Sequence, residues 1–456
     1  MKLFLMIKTF FSRHLTPARI FVLSFATLIL LGTLALWIPF SASRESLRFV
    51  DAFFTAASAV CVTGLATIDI GKDLSLIGQL ITLVLFQVGG LGIITFSVIL
   101  FALIGRGISF KGREITQSAF LHSPQKDFHL IIKKVLRYTL LIETAGALLL
   151  FAQFFQEFPM GRALYFAVYH AVSAFNNCGY ALFPDSLIRY QGNVLVNVTV
   201  MVLIILGGIG FIVQQEVIAK LRDPRKKLSL HTRIVLITTL ALIVAGSVCF
   251  YFMEMDNTLR GTGMPVALLT SVFQSITART AGFSTVDIGL LTNSTLLILL
   301  MLMFIGASPG SAGGGVKTTS FAILLLLIVN RIKGNDNVNT ANRTIPPELV
   351  DRTLSIIFVS ATIIGVITAV LLLFSDTSGA PLSSRSQFIE YVFETFSAFG
   401  TVGLSMGVTS KLNDIQKYAI ILMMFIGRVG PLTLAFAWYS RRRRRITYAE
   451  ETVMVG

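Results

Sequence analysis

The chain has 456 residues, of which 54% are hydrophobic and 13% are charged, and its formal net charge is +15. Soluble domains usually carry about 25% charged residues, so this composition excludes an ordinary soluble protein, including the nucleic-acid-binding class that basic charge would otherwise suggest. Charged residues are missing from whole blocks, namely 76–105, 234–253 and 354–375. Each block reaches the roughly 20 apolar residues of a membrane-spanning helix. We therefore expect an integral membrane protein.

Four units of the same order follow one another along the chain. Each has an apolar helix, a short segment that runs from an aromatic residue through Ser-Ala or Thr-Ala to a glycine, and a second apolar helix. The short segments cannot span a bilayer, so we expect pore loops that enter the membrane and turn back. The predicted helix, pore loop and helix are 19–40, 51–66 and 74–105 in the first unit, 131–155, 162–180 and 194–220 in the second, 233–255, 265–283 and 291–330 in the third, and 352–375, 386–404 and 414–439 in the fourth.

This order predicts an all-α membrane protein with eight transmembrane helices, in four helix–pore-loop–helix repeats around a central pore. The repeats are residues 1–105, 106–220, 221–330 and 331–440, and a basic cytoplasmic tail follows at 441–456. Lys and Arg concentrate on the side of both termini, which predicts cytoplasmic termini and pore loops that enter from outside the cell membrane. We expect the Arg441–Arg445 run of this tail to meet anionic membrane lipid, with docking to a partner as the alternative.

The glycine of each pore loop predicts an ion-selective filter. Glycine adopts backbone angles that other residues avoid, so consecutive carbonyl groups can face a common axis. A half-helix entering from outside also points its partially negative carbonyl end toward the bilayer centre. Rings of carbonyl oxygens suit a dehydrated alkali cation. The predicted filter residues are Val62, Thr63, Gly64, Asn177, Cys178, Gly179, Thr280, Ala281, Gly282, Thr401, Val402 and Gly403.

The second helix of the third unit differs from the others, because Pro309 and four glycines interrupt it. We expect an intramembrane loop over 306–317 that lies below the filter and gates the pathway, with a simple packing kink as the alternative. Intramembrane cations are usually functional, and snorkelling of Lys317 or pairing of Arg428 with carbonyl groups are the alternatives to a barrier role. The predicted gate residues are Gly306, Ser308, Pro309, Gly310, Ser311, Gly313, Gly314, Gly315, Lys317 and Arg428.

Together, the four glycine loops, the stretch IGASPGSAGGGVKT at 305–318 and the arginine in the last helix resemble the Trk/Ktr/HKT superfamily of potassium transport proteins. The similarity covers nearly the whole chain and is greatest to bacterial Ktr membrane subunits. It implies K+ as the transported ion, with Na+ dependence in some members, and Gly64 favours K+ because the plant branch often has serine there with sodium transport. It matches 310–315 to a gating loop opposed by Arg428. It also implies a homodimer that binds a cytosolic ring of nucleotide-binding regulatory subunits.

Two other functions remain open, and an enzyme is not expected. The first is a sodium or mixed-cation transporter. The second is a secondary transporter with a solute site at the membrane midplane, although such proteins usually have two inverted halves. We find no paired catalytic groups with a convincing spacing. No organic cofactor is expected either, because the chain has no Gly-x-Gly-x-x-Gly after a strand.

Overall fold

The computed structural model describes residues 17–43, 46–92, 128–375 and 381–438. Its helices are α1 (Pro17–Trp37), α2 (Phe49–Cys61), α3 (Leu76–Gly90), α4 (Phe128–Phe154), α5 (Met160–Phe175), α6 (Val194–Gly208), α7 (Phe211–Arg222), α8 (Leu230–Glu254), α9 (Met264–Thr277), α10 (Asn293–Phe304), α11 (Thr318–Ile332), α12 (Pro347–Leu373), α13 (Pro381–Gly400), α14 (Asp414–Val429) and α15 (Pro431–Trp438). A short antiparallel pair, β1 (Asn339–Thr340) and β2 (Arg343–Thr344), joins α11 to α12. The predicted basic tail at 441–456 lies outside the described residues, as does the predicted helix 74–105 beyond residue 92.

The first helix of each unit has the length and composition of a membrane span. These spans are Ala18–Trp37, Lys133–Phe154, Leu230–Glu254 and Pro347–Leu373, and the bent pair α6–α7 makes a fifth if it is counted as one. The described part of the chain is therefore a mostly helical protein with four or five apolar spans. The full set of eight transmembrane helices stays a prediction.

Short helices occupy the predicted pore loops. At 1.5 Å per residue, α2, α5 and α9, with 13, 16 and 14 residues, are about 20 to 24 Å long, which is less than the roughly 30 Å hydrocarbon core. In each of the first three units the short helix packs against the first helix of that unit, and in the fourth unit α13, which has 20 residues, does so. We call α2, α5, α9 and α13 the pore helices.

The four units form a closed ring. The second helix of each unit packs against the pore helix of the next unit, so that α3 contacts α5, α6 contacts α9, and α10 contacts α13. The last unit completes the cycle, because α14 packs against α2. Four like units that each contact the next are the arrangement that a central pathway requires.

The second helices of the second and fourth units are also interrupted, although the sequence predicted an interruption in the third unit alone. In the second unit α6 ends at Gly208, and α7 continues at an angle of 105° to it. In the fourth unit α14 ends at Val429 and α15 begins at Pro431. Gly210 and Gly430 stand at these breaks with φ of +89° and +88°, a conformation that glycine adopts at little cost.

Ion pairs lie across the contact between the last unit and the first. Asp51, in the first turn of α2, forms a 2.7 Å ion pair with Lys417 of α14, and the two side chains are 13% and 7% exposed. Arg48 pairs with Asp414 and also lies 3.7 Å from Asp51. Successive units are joined by the chain, whereas the first and the last are not. The ion pairs therefore stabilise the one contact of the ring that lacks a covalent connection.

Lys417→Met is expected to lower the free energy of unfolding by up to about 3 kcal/mol, because it leaves the largely buried carboxylate of Asp51 with only Arg48, at 3.7 Å, as an ion-pair partner. The double variant Asp51→Asn with Lys417→Met should recover much of this loss. Thermal unfolding of the purified protein in detergent measures both, with Lys411→Met, an exposed lysine in the same region, as the matched control. A loss no larger than that of the control would show that the pair contributes little.

Candidate functional site: a ring of four pore loops

The glycines of the four pore loops touch one another in a closed ring. A Cβ atom added at any one of them would clash with a carbonyl oxygen of the next loop. The distances between that Cβ and the oxygen are 2.0 Å for Gly64 and Cys178, 2.4 Å for Gly179 and Ala281, 2.4 Å for Gly282 and Val402, and 2.2 Å for Gly403 and Thr63. Real Cβ contacts under 3.0 Å are essentially never seen, so each position excludes a side chain. We call these four residues the glycine ring.

The four loops share one backbone conformation. The glycines have φ between +78° and +94°, and the residue two positions before each is also left-handed. For a residue other than glycine this costs roughly 1–3 kcal/mol, so its recurrence in all four loops marks a common geometry. The left-handed residues, with their φ angles, are Val62 (56°), Asn177 (58°), Thr280 (72°) and Thr401 (49°).

A hydroxyl residue anchors each loop, four positions after the aromatic residue that opens the segment. The amide of the residue before the glycine donates to the carbonyl of the hydroxyl residue in all four units. These bonds join Thr63 to Ser58 (2.8 Å), Cys178 to Ser173 (2.8 Å), Ala281 to Thr277 (3.0 Å) and Val402 to Ser397 (2.9 Å). The repeated Ser-Ala or Thr-Ala of the sequence is therefore a structural part of the loop.

The hydroxyl side chains bind the same loops in two ways. In the first and fourth units, the hydroxyl groups of Ser58 and Ser397 accept the backbone amide hydrogen of the glycine that belongs to the glycine ring, at 3.1 Å. In the second and third, Ser173 and Thr277 donate to the carbonyl after the glycine, at 2.8 and 2.6 Å. Thr277 lies four residues after its aromatic residue, as the serines of the other three units do. The third unit therefore has the same hydroxyl residue at this position, although its loop is one residue shorter.

The four glycines of the ring line an open cavity, whereas the predicted filter residues that precede them do not. The eight predicted filter residues other than glycine are fully buried, whereas the four glycines are half-buried. All four glycines line a cavity of about 460 Å³, together with the residues that follow Gly64, Gly179 and Gly403. Its one charged lining residue among those described is Asp69. Backbone groups are thus what this cavity can offer to an ion at the level of the ring.

A second set of glycines explains the repeat in the second helices. A Cβ at Gly89, Gly207 or Gly427 would lie 2.1, 1.7 or 2.0 Å from a carbonyl oxygen at the end of the pore helix of the same unit. That carbonyl belongs to the residue four positions before the glycine of the glycine ring, namely Val60, Phe175 or Phe399. The third unit differs, because Gly306 lies against Gly314 of the intramembrane loop.

The predicted intramembrane loop lies directly against the pore loops. The amide of Gly314 donates to the hydroxyl of Thr401 at 2.9 Å, and a Cβ at Gly313 would lie 2.2 Å from Oγ1 of Thr280. Thr280 and Thr401 are the left-handed residues of the third and fourth units. The intramembrane loop therefore contacts two of the four pore loops just before their glycines of the glycine ring.

Backbone hydrogen bonds tie the intramembrane loop to the broken helix of the second unit. Ser308 and Ala312 donate to the carbonyls of Gly208 and Gly207 at 3.0 and 3.1 Å, and Phe211 donates to the carbonyl of Gly310 at 3.1 Å. A continuous helix would join the amide of Phe211 to the carbonyl of Gly207. The break at Gly210 instead releases both groups to bind the loop, and this tertiary requirement is why the uninterrupted helix 194–220 is wrong.

The remaining predicted gate residues close the loop on itself and attach it to the fourth unit. The amide of Gly306 donates to the carbonyl of Val316 at 2.8 Å, and that of Gly315 donates to the carbonyl of Gly427 at 3.4 Å. The hydroxyl groups of Ser308 and Thr318 are hydrogen-bonded at 2.9 Å, and the hydroxyl of Ser311 donates to the carbonyl of Ser308 at 2.6 Å. The carbonyl of Pro309 packs closely against Gly210.

Two cations hold the loop through its carbonyl groups. Arg428, 9% exposed, donates to the carbonyl of Ala312 in the loop and to that of Gly89 in the first unit. Lys317 donates from Nζ to the carbonyl of Gly313 at 2.7 Å, and its side chain is half-buried. Among the described residues neither cation forms an ion pair with a carboxylate. Their positive charge is therefore not neutralised at the loop.

Sequence reasoning missed a buried polar cluster beside the second pore loop. Glu143 of α4 accepts hydrogen bonds from Asn176 at 3.1 Å and Gln87 at 3.2 Å, and Asn176 also donates to Gln87 at 2.5 Å. Asn176 follows the last residue of α5 directly, so the cluster supports the end of a pore helix. Its signal was available, because Glu143 is the one carboxylate in the apolar stretch 131–155 and intramembrane charges are rarely incidental.

Comparison with known proteins places this geometry in context. A profile of the TrkH family, described as a cation transport protein, matches residues 10–440. The chain is 35% identical to Ktr system potassium uptake protein B of Bacillus subtilis (97% of each chain) and 37% identical to the protein of that name from Vibrio alginolyticus (96% of this chain, 94% of the relative). It is 36% identical to potassium/sodium uptake protein NtpJ of Enterococcus hirae (97% and 98%). The crystal structure of the potassium transporter TrkH from Vibrio parahaemolyticus shares the fold, with a TM-score of 0.71 at 20% identity over 94% of this chain and 86% of that one.

Proposed function

Because the chain belongs to the TrkH family of cation transport proteins, we propose that it conducts potassium ions through the glycine ring. One observation carries the proposal, namely that each of Gly64, Gly179, Gly282 and Gly403 lies against the next loop in an unbroken cycle. Carbonyl oxygens arranged around an axis can replace the hydration shell of K+. The pore helices also direct their partially negative ends toward the loops, which favours a cation. Relatives named as potassium uptake proteins support K+ as the ion.

The intramembrane loop is the proposed gate. Lys317 and Arg428 hold it by its carbonyls beside the ends of the pore loops, and two unpaired positive charges there raise the barrier to a passing cation. Opening requires the loop to leave Arg428 or to move with it. We propose that a cytosolic ring of nucleotide-binding subunits drives this step, as the Ktr resemblance implies, and that two copies of the chain assemble as a homodimer. We also propose that the chain has four repeats with eight transmembrane helices, and that both termini are cytoplasmic.

A sodium or mixed-cation pathway is the second candidate. It is favoured by the similarity to NtpJ, whose name includes both ions. A secondary transporter with a midplane solute site fits less well, because four like units in one closed ring leave no pair of inverted halves.

The test is complementation of a bacterium that lacks its own potassium uptake systems, with and without a regulatory ring subunit. We expect growth at limiting K+ that requires this chain, and uptake of 86Rb+ by proteoliposomes that contain the purified protein. Equal rates for Na+ and Rb+ would favour the second candidate. No cation flux from folded protein in either assay would overturn the proposal.

A further inference from the structure

Arg279 is a buried cation for which the proposed pathway gives no role. It lies just after the pore helix α9, three residues before Gly282, and it is 8% exposed. The other pore loops have uncharged residues three positions before their glycines, namely Cys61, Asn176 and Gly400. Among the described residues no carboxylate pairs with Arg279, and Nε has no hydrogen-bond partner. A long bond of 3.5 Å joins Nη1 to the carbonyl of Thr239 on α8.

A small cavity brings Arg279 together with two other unsatisfied polar groups. It has a volume of about 20 Å³ and lies between α6, α8 and the second and third pore loops, where Asn177, Thr239 and Arg279 line it. Within the described chain, Oδ1 of Asn177 and Oγ1 of Thr239 are buried without a hydrogen-bond partner. A buried polar atom without a partner destabilises the folded protein, because it has lost its hydrogen bonds to water. All three residues line the same cavity, which indicates a common ligand.

The mixture of donors and acceptors selects the ligand. The Nε of Arg279 can only donate, Oδ1 of Asn177 can only accept, and the hydroxyl of Thr239 can do either. An anion would be repelled by Oδ1 of Asn177, and a cation would be repelled by the guanidinium group. Water accepts and donates at once, and a cavity above roughly 10–15 Å³ can hold one molecule. We propose that this cavity binds a single ordered water molecule, through which Arg279 acts as a positioning residue for the filter.

The water would fix the contact between the second and third pore loops. The side-chain Nδ2 of Asn177 donates to Oγ1 of Thr280 at 3.2 Å. These two residues are the left-handed residues of neighbouring pore loops. Two residues further on, a Cβ at Gly179 would lie 2.8 Å from Cα of Gly282. A bond from the water to Oδ1 holds the Asn177 amide in the orientation that reaches Thr280. The spacing of two loops in the glycine ring thus depends on Arg279. The link to selectivity rests on the proposed function, whereas the water site does not.

The direct test is an experimental structure at a resolution that shows buried water, from crystals grown with bromide in place of chloride. We expect a density peak within hydrogen-bond distance of Nε of Arg279, Oδ1 of Asn177 and Oγ1 of Thr239, with no anomalous signal from bromide. A bromide peak would show an anion site and overturn the proposal. A cavity without density, in a map that shows other buried waters, would overturn it as well.

The functional test compares Rb+ and Na+ fluxes in proteoliposomes for two variants. Thr239→Val removes one partner of the water at nearly constant shape, and Arg279→Lys keeps the charge but lacks Nε. Loss of one hydrogen bond is worth about 0.5–1.5 kcal/mol, so the Rb+/Na+ flux ratio should fall about 2- to 10-fold. The matched control is Thr238→Val, one residue away on α8 and outside the lining of the cavity.

An unchanged flux ratio in folded variants that still conduct Rb+ would overturn the positioning role. If the unaltered protein conducts neither K+ nor Rb+, the proposed function fails, and the density then decides the water site by itself. The two failures are therefore distinguishable.

Discussion

Gly179→Ser is expected to reduce the preference for K+ over Na+ by at least about tenfold. The new Cβ would lie 2.4 Å from the carbonyl oxygen of Ala281 and 2.8 Å from Cα of Gly282, and both are backbone atoms that cannot rotate away. This clash displaces backbone of two neighbouring loops, and a change of about 1.4 kcal/mol in the relative binding of the two ions corresponds to tenfold. The φ of +78° adds backbone strain, which the control described below shares. Fluxes of 86Rb+ and 22Na+ in proteoliposomes measure the ratio.

The matched control is Gly261→Ser. Gly261 has nearly the same φ, +79°, but nothing lies within 4 Å of its added Cβ. The control therefore carries the backbone strain without the clash. Serine at Gly64, Gly282 and Gly403 should act like serine at Gly179, because all four glycines make the same contact. Ion preference that stays unchanged in all four folded variants would contradict a filter at the glycine ring.

Arg428→Met is expected to raise K+ flux about fivefold or more in the absence of any regulatory partner. The variant removes the hydrogen bonds to the carbonyls of Ala312 and Gly89 and so releases the intramembrane loop. It also removes a positive charge. Even at the dielectric constant of water, two charges about 4 Å apart repel by about 1 kcal/mol, which is about fivefold in rate. Initial rates of 86Rb+ uptake at equal protein density measure the effect.

Two further variants make this result decisive. Arg260→Met changes an exposed arginine far along the chain from the loop and should leave the flux unchanged. Deletion of residues 310–315 removes the part of the loop between its two ends and should also raise the flux. If neither Arg428→Met nor the deletion conducts faster than the unaltered protein, the loop is not the barrier.

Local chemistry made much of the fold predictable. An aromatic residue, a hydroxyl residue four positions later and a glycine recur in each unit, and the structure turns each such segment into a short helix followed by a left-handed turn. The hydroxyl group and the glycine act within their own loop, for example where Ser58 binds the amide of Gly64 at 3.1 Å. Residues that are only six positions apart can be predicted to interact from the sequence alone. The end of the pore helix brings them together, whatever the rest of the chain does.

The partners of the intramembrane loop could not be predicted in this way. Its composition excluded a regular helix, but nothing in residues 305–318 indicates that the carbonyls of Gly207 and Gly208 accept its amides, or that Arg428 also reaches Gly89. These partners lie about 100 or more residues away along the chain. They come together only when the four units close their ring.

By itself, the sequence determined the apolar first helices, the four pore loops and the places where glycine is required, because burial and backbone angles depend on residue type. The tertiary structure alone decided that α6 breaks at Gly210, that Lys317 donates to the carbonyl of Gly313, and that Arg279 shares a cavity with Asn177 and Thr239. The physical reason is that buried polar groups must find partners. Which partners they find depends on which helices the closed ring brings into contact.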